Sequence, residues 1–342
     1  MKKFRTHLIV DLKDSTIIEN LIFEYMELLL LTESSNSFFS SKDGMRQSFY
    51  TYGKSTEDIT PNDDIPLNEL IIIADNEEKA EDLLSLIHCG ILLAYPEPGL
   101  TNNFTFLKEY KESENEWYKE KPFIKHYQKI ENIGFGCIVA NKAIKSKQLC
   151  YAIEKYKVSL DLNSFTPHSA NPRYGQVFEH YDVKHNYHTR GAFAIISAFS
   201  VIEELELEIR SSNKNPRFLN TETGEWNPKV LENIEKRLEK SEIDSKLTFD
   251  WIYRGNPTRI EQDIKPFFGF DSEWVKYGAE VRDKTLTIPE AIHNVSYLRN
   301  FIAAHKFREL TQYISPYDIF NTQTLARLLI LRKMKLWETM LE

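Results

Sequence analysis

Residues 191 to 202 form the stretch that most constrains the fold of this chain. The segment reads "GAFAIISAFSVI", carries no charged side chain, and places apolar residues on nearly every side of a helical projection. A helix that is apolar all round has to be buried on all sides. The sequence therefore predicts a central helix over residues 191 to 212, whose first half is enclosed by other elements of its domain.

The length of the chain predicts more than one such core. With 342 residues it exceeds the usual size of a single domain. Hydrophobic residues make up 42% and charged residues 27%, which is typical of folded proteins rather than disordered ones. We place a boundary near residue 140, between an α+β domain over residues 1 to 140 and a mostly helical domain over residues 141 to 342.

The N-terminal part alternates strands and helices. The run "ELIIIA" (69 to 74) predicts a buried strand, and Asp75 is a good N-cap for a helix after it. The turn between them has no phosphate-binding glycines, so it does not indicate a nucleotide site. The "GFG" at residues 134 to 136 favours a turn or strand bend.

Charge and cysteine usage exclude several classes of function. The net charge of -8 argues against coating nucleic acid by bulk electrostatics, but it allows a local site for one phosphate. Three cysteines without Cys-x-x-Cys spacing disfavour a disulfide framework or a cysteine-based zinc site. No apolar run approaches the roughly 20 residues of a membrane helix, and the first residues lack the pattern of a signal peptide. We expect a cytoplasmic protein that needs no cofactor and does not bind a membrane.

The stretch "SYLRNFIAAHKF" (296 to 307) carries most of the functional case. Thr287 and Glu290 form a capping box that predicts a helix from Ile288. Its apolar residues recur at steps of three and four and make one face. At about 100° per residue, Arg299 and His305 lie on opposite edges of that face, about 120° apart, and Asn300 points more nearly to the opposite side.

Two interpretations of this pattern stay open. In the structural one, Arg299 covers the apolar stripe with its stem, and His305 complements the helix dipole in the last turn. In the functional one, Arg299 binds phosphate and His305 transfers a proton near neutral pH. A second copy across a two-fold axis would then supply the same pair again. Those groups suffice for cleavage of RNA without a metal.

The segment "LRNFIAAHKF" resembles the Arg-x4-6-His motif of the HEPN (higher eukaryotes and prokaryotes nucleotide-binding) superfamily, in which a polar residue, often asparagine, follows the arginine. The helix "AFAIISAFSVIEELELEIR" and the segment "DWIYRG" are similar to upstream parts of such domains. The resemblance covers residues 141 to 342. It implies an all-α bundle that dimerises and acts as a metal-independent endoribonuclease, through attack of the ribose 2′-hydroxyl and with a 2′,3′-cyclic phosphate product. Catalytic roles would fall to Arg299, Asn300 and His305.

The resemblance also implies a biological setting and an alternative. Such proteins are often bacterial toxins or antiphage effectors, and some act as non-catalytic interaction or nucleotide-binding modules. The N-terminal domain, with a sensor or regulatory role, would bind a trigger or a protein antitoxin.

Further candidates surround this motif. A buried arginine needs a carboxylate partner, and either Glu203 or Glu204 qualifies. Arg254 and Lys306 are candidate phosphate contacts. A separate cluster in "EHYDVKHNYHTR" contains metal-ligand residue types without a complete pattern, and the alternative metal site comprises His180, Asp182, His185 and His188.

Overall fold

The computed structural model describes residues 1–10, 12–32, 66–96, 107–111, 128–164, 185–209, 227–253, 282–303 and 316–336. The chain forms two compact units, Met1–Cys150 and Tyr151–Glu342. The division falls ten residues after the predicted boundary, inside helix α4 (Lys147–Leu162). The prediction of a mixed α+β protein with a large helical content is confirmed.

The first unit is built on a mostly antiparallel sheet. Its strands run in the order β2-β3-β1-β4, and β5 pairs with β1 in parallel. The predicted strand at 69–74 is confirmed as part of β3, where Leu70, Ile71 and Ile72 are almost fully buried. The strands are β1 (Lys2–Val10), β2 (Met26–Thr32), β3 (Leu67–Ala74), β4 (Lys108–Glu109) and β5 (Gln128–Lys129).

A buried ion pair closes a bulge in this sheet. The register of β1 against β3 shifts between Arg5 and Ile9, and His7 lies in the left-handed region with φ of 58°. The Glu69 carboxylate accepts hydrogen bonds from the Arg5 Nε and Nη2 at 3.0 and 2.5 Å, and from the backbone N–H of His7 at 3.0 Å. Since the charges of Arg5 and Glu69 are paired with each other inside the core, we interpret this ion pair as structural.

The helices that the structure describes in the first unit are α1 (Leu12–Asn20), α2 (Glu77–Ala94) and α3 (Ile133–Ala143). The N-cap of α2 is Asn76, one residue after the predicted Asp75, and its side chain accepts from Lys79 N–H at 2.9 Å. The predicted turn at "GFG" is wrong, because both glycines lie in α3. Gly136 allows a close crossing with α2, because a Cβ on Gly90 of α2 would lie 2.8 Å from the Cα of Gly136.

In its described part, the second unit combines helices with an antiparallel strand pair. Its helices are α4, α5 (His185–Glu204), α6 (Pro228–Lys240), α7 (Ile288–Tyr297) and α8 (Pro316–Lys333). The prediction of an all-α domain is wrong in one respect, because β6 (Thr248–Tyr253) pairs antiparallel with β7 (Arg282–Thr287). Phe249 and Trp251 are buried on one face of β6 while Thr248 and Asp250 are exposed, which is the period of two expected for a strand.

Helix α5 is central in this unit, as predicted, but it begins six residues before the predicted helix and ends at Glu204. Ala194, Ile195, Ala198 and Val201 are fully buried, although Phe193 on the outer face is 55% exposed. Helix α8 is enclosed as well, with buried residues on nearly every side. Its polar residues are buried because they bond to other elements. Gln323, for example, donates its Nε2 to the Ser159 hydroxyl and to the Asn163 carbonyl at 3.0 and 2.7 Å.

Candidate functional site

The helix that carries the candidate arginine begins where the sequence predicts. Helix α7 starts at Ile288, with Thr287 as N-cap and Pro289 in the first turn. The backbone N–H of Thr287 donates to the Glu290 carboxylate at 2.6 Å, which satisfies a donor that the helix itself leaves free. Every residue of α7 except the half-buried Glu290 is buried, so the helix is firmly anchored and fixes the position of the residues after Tyr297.

A change of helix type comes directly after α7. Residues Leu298–Ala303 form a π-helical segment, in which the backbone bonds run from i to i+5 and the turn is wider. The angles predicted for one continuous α-helix therefore do not apply beyond Tyr297. π-Helical turns of this kind are frequent at functional sites. Here the segment begins one residue before Arg299.

The guanidinium of Arg299 is held by two neighbours. Its Nη1 donates to the Oδ1 of Asn300 at 2.8 Å, and its Cζ lies 5.5 Å from the centre of the Phe199 ring. Asn300, which an ideal α-helix would turn away from the apolar face, contacts the arginine through its amide oxygen. The sequence-based prediction omitted Phe199, although its position four residues before Glu203 places both on one side of α5. The side chain of Arg299 remains 36% exposed, so solutes can reach it.

The geometry selects one of the two candidate carboxylates. Glu203 Oε1 lies 3.9 Å from Arg299 Nη2, and its side chain is 41% exposed. Glu204 instead binds Lys155 of α4 at 2.5 Å. At 3.9 Å the Arg299–Glu203 pair is long and half-solvated, a type that contributes about 0 to 1 kcal/mol. The Nε of Arg299 is buried and makes no hydrogen bond to any residue that the structure describes.

Together these contacts orient the arginine without neutralising it. A neutral amide and an aromatic face hold the guanidinium, and the nearest carboxylate among the described residues is at the limit of an ion pair. A guanidinium presents several N–H groups in a planar fork that matches the oxygens of a phosphate. The described part of this site can therefore bind an anion of that shape.

An acidic cleft lies beside this site but does not extend it. Its volume is about 920 Å³, and Glu203, Glu206 and Glu208 line it together with Lys229 and Arg237. The Arg237 side chain is hydrogen-bonded within the wall of the cleft, where its Nη1 donates to the Glu206 carbonyl at 3.0 Å. Three carboxylates disfavour a phosphate backbone, so the anion-binding surface is the exposed edge of Arg299 rather than the cleft.

Several predicted site residues lie outside the described residues. These are His305, Lys306, Arg254, His180 and Asp182. His185 begins α5, and its side chain is also outside what the structure describes. His188 lies half-buried on the same helix, three residues further on. Among the residues with described side chains, no group of three or more histidine, cysteine or acidic residues is placed to hold a metal ion.

Comparisons with models of protein families, with curated proteins and with solved structures gave no match to this chain. A search of the described helices for a span that is long and apolar enough to cross a bilayer also found none.

Proposed function

We propose that this protein is a metal-independent endoribonuclease whose second unit is a HEPN-like helical domain. The single observation that carries the proposal is the setting of Arg299, with its guanidinium fixed by Asn300 and Phe199 at a half-exposed edge of the unit. A structural arginine in a core would be expected to have a close carboxylate partner. Among the residues that the structure describes, Arg299 has instead a long contact to Glu203 and a neutral acceptor beside it.

The proposed chemistry assigns one task to each residue. The ribose 2′-hydroxyl attacks the adjacent phosphorus and loses its proton, and the leaving 5′-oxygen gains one. His305 transfers a proton in one of these steps, and Arg299 stabilises the negative charge that grows on the phosphate oxygens. Asn300 is a positioning residue that holds the guanidinium in the plane required for two parallel hydrogen bonds. The products are a 2′,3′-cyclic phosphate and a free 5′-hydroxyl.

The proposal includes a second copy of the chain. In a two-fold dimer through the helical unit, two Arg299 and His305 pairs would face one RNA strand. One histidine could then act as base and the other as acid. The first unit would bind the trigger or protein antitoxin that controls this activity in a bacterial toxin or antiphage effector.

Cleavage of RNA in EDTA tests the assignment. We expect Arg299→Ala and His305→Ala each to lower the rate about a hundredfold or more, as the loss of a group that acts on the reacting atoms does. Arg299→Lys should recover only part of the rate, because lysine cannot form the planar fork. Asn300→Ala should act mainly on the maximal rate, by releasing the guanidinium.

The matched control is Lys236→Ala, which also removes one positive charge from the second unit. Lys236 lies on the exposed face of α6, 68% accessible and paired with Glu232 at 2.6 Å. This variant should keep the full rate. Equal rates for Arg299→Ala and Lys236→Ala would overturn the proposed site, and RNA binding without cleavage by the parent protein would favour a non-catalytic binding module.

A further inference from the structure

Strand β6 has one edge that its partner strand does not cover. The backbone N–H of Ile288 donates to the carbonyl of Leu247 at 3.0 Å. With the register of β6 against β7, this bond shows which residues of β6 point their backbone groups towards β7. The backbone groups of Phe249 and Trp251 therefore point towards β7. Those of Thr248 and Asp250 point away from it, as alternate residues of an antiparallel pair do.

One position on this edge is already closed by a side chain. Ile252 also points away from β7, and Asn321 of α8 binds both of its backbone groups. The Asn321 Oδ1 accepts from the Ile252 N–H at 3.0 Å, and its Nδ2 donates to the Ile252 carbonyl at 2.8 Å. Because it binds both groups, the fully buried Asn321 side chain takes the place that one residue of a third strand would occupy.

The next two positions have no such partner among the residues that the structure describes. No backbone group or side chain of that part of the chain bonds the outward N–H and C=O groups of Thr248 and Asp250. Both residues are exposed. An edge with free main-chain donors and acceptors is a template for another strand.

A groove runs beside these free groups. Its volume is about 430 Å³, within the range of sites that bind small ligands or short segments. One wall is β6, and the other is a stripe of α8 residues at intervals of four: Phe320, Thr324, Leu328 and Arg332. Phe249 and Leu328 are 6% and 7% exposed and give the groove an apolar floor.

We propose that this groove binds an extended peptide segment of a partner protein, which adds to β6 as a third strand. The four outward main-chain groups of Thr248 and Asp250, which no described residue bonds, match an occupant with its own alternating N–H and C=O groups. An apolar small molecule would leave them unpaired. The peptide residue opposite Phe249 points to the same face as that ring, so it is apolar and enters the space beside Leu328. Its two neighbours face solvent and are polar.

This surface is distinct from the Arg299 edge and does not depend on the proposed nuclease activity. Binding can therefore be measured without RNA. The probe is a short fluorescent peptide in which threonine and isoleucine alternate. A second probe has the same sequence with alternate amides N-methylated, so that the side chains remain and the strand hydrogen bonds on one side are lost.

The protein variants test the same contact from the other side. Asp250→Pro removes the outward N–H without taking a bond from the β6–β7 ladder, whereas Asp250→Ala keeps that N–H. Both lose the Asp250 contact to the Thr285 hydroxyl, which lies at 3.1 Å, so they form a matched pair. Thr324→Trp fills the groove from the α8 side and leaves the β6 backbone intact.

We expect the alternating peptide to bind the full-length protein, and its N-methylated form to bind at least about tenfold more weakly, since each lost hydrogen bond costs about 1 kcal/mol. Asp250→Pro and Thr324→Trp should weaken binding by a similar factor, and Asp250→Ala should not. No binding by the parent protein would overturn the proposal, as would equal binding of both probes. The comparison of the two probes uses only the parent protein, so it decides the question even if Asp250→Pro fails to fold.

Discussion

His293 makes the stability of α7 depend on pH. It lies in the middle of that helix with 1% of its surface exposed. Burial lowers the pKa of His293 from 6.5 to about 4, and the Asn294 side chain opposes this only in part. The folded protein therefore keeps His293 neutral at a pH where the unfolded chain is protonated.

The size of the effect depends on this difference in pKa. The folded pKa is below the unfolded one, so the stability is complete above about pH 6.5 and is lost as the pH falls towards 4. Proton linkage gives a loss of about 2 kcal/mol at pH 5 and about 3 kcal/mol at pH 4 from this residue.

Hydrogen exchange of the α7 amides measures the loss. The opening free energy is corrected for the intrinsic exchange rate at each pH. Between pH 7 and pH 5 it should fall by about 2 kcal/mol more in the parent protein than in His293→Leu, because leucine cannot titrate. Equal slopes for the two proteins would rule out this role of His293, because other groups would then account for the whole dependence.

Three further substitutions test other contacts in the two units. Gly136→Ala should destabilise the first unit by about 1 to 3 kcal/mol in urea unfolding, because its Cβ would lie 2.6 Å from the Ile87 carbonyl oxygen, and an unchanged midpoint would contradict the close crossing. Asn321→Leu should cost the second unit about 2 to 4 kcal/mol through the two lost bonds to Ile252, and full stability would show that water replaces them. Glu203→Gln should tighten RNA binding by up to about fivefold, because it removes the long ion pair to Arg299, and weaker binding would mean that Glu203 positions the arginine.

Local signals in the sequence predicted the beginnings of several elements. The Thr287–Glu290 box predicted the start of α7. The same kind of local signal marks the start of α6, where the Asn227 side chain accepts from the Lys229 N–H. These signals worked because capping depends on residues within one turn. The buried run at 69–74 was equally local.

Features that depend on distant residues were missed. Nothing in the helical periodicity of "SYLRNF" indicates a change to π-helical bonding, so the contact between Arg299 and Asn300 was not predicted. Gly136 of "GFG" is explained by the approach of α2, whose Gly90 lies 46 positions earlier in the sequence, and Gly134 by the contact with Asp14 of α1. Strands β6 and β7 are separated by 28 residues, so no hairpin turn marks their pairing. The choice between Glu203 and Glu204 needed Lys155 of another helix.

A substrate that lacks free 2′-hydroxyl groups gives the sharpest test of the proposed ribonuclease activity. The purified protein is incubated in EDTA with an RNA and with the same RNA carrying 2′-O-methyl groups throughout. We predict that only the unmodified RNA is cut, that its fragments end in a 2′,3′-cyclic phosphate, and that Arg299→Ala removes this activity. Cleavage of the methylated strand, or activity that survives in Arg299→Ala, would show that the proposed chemistry is wrong.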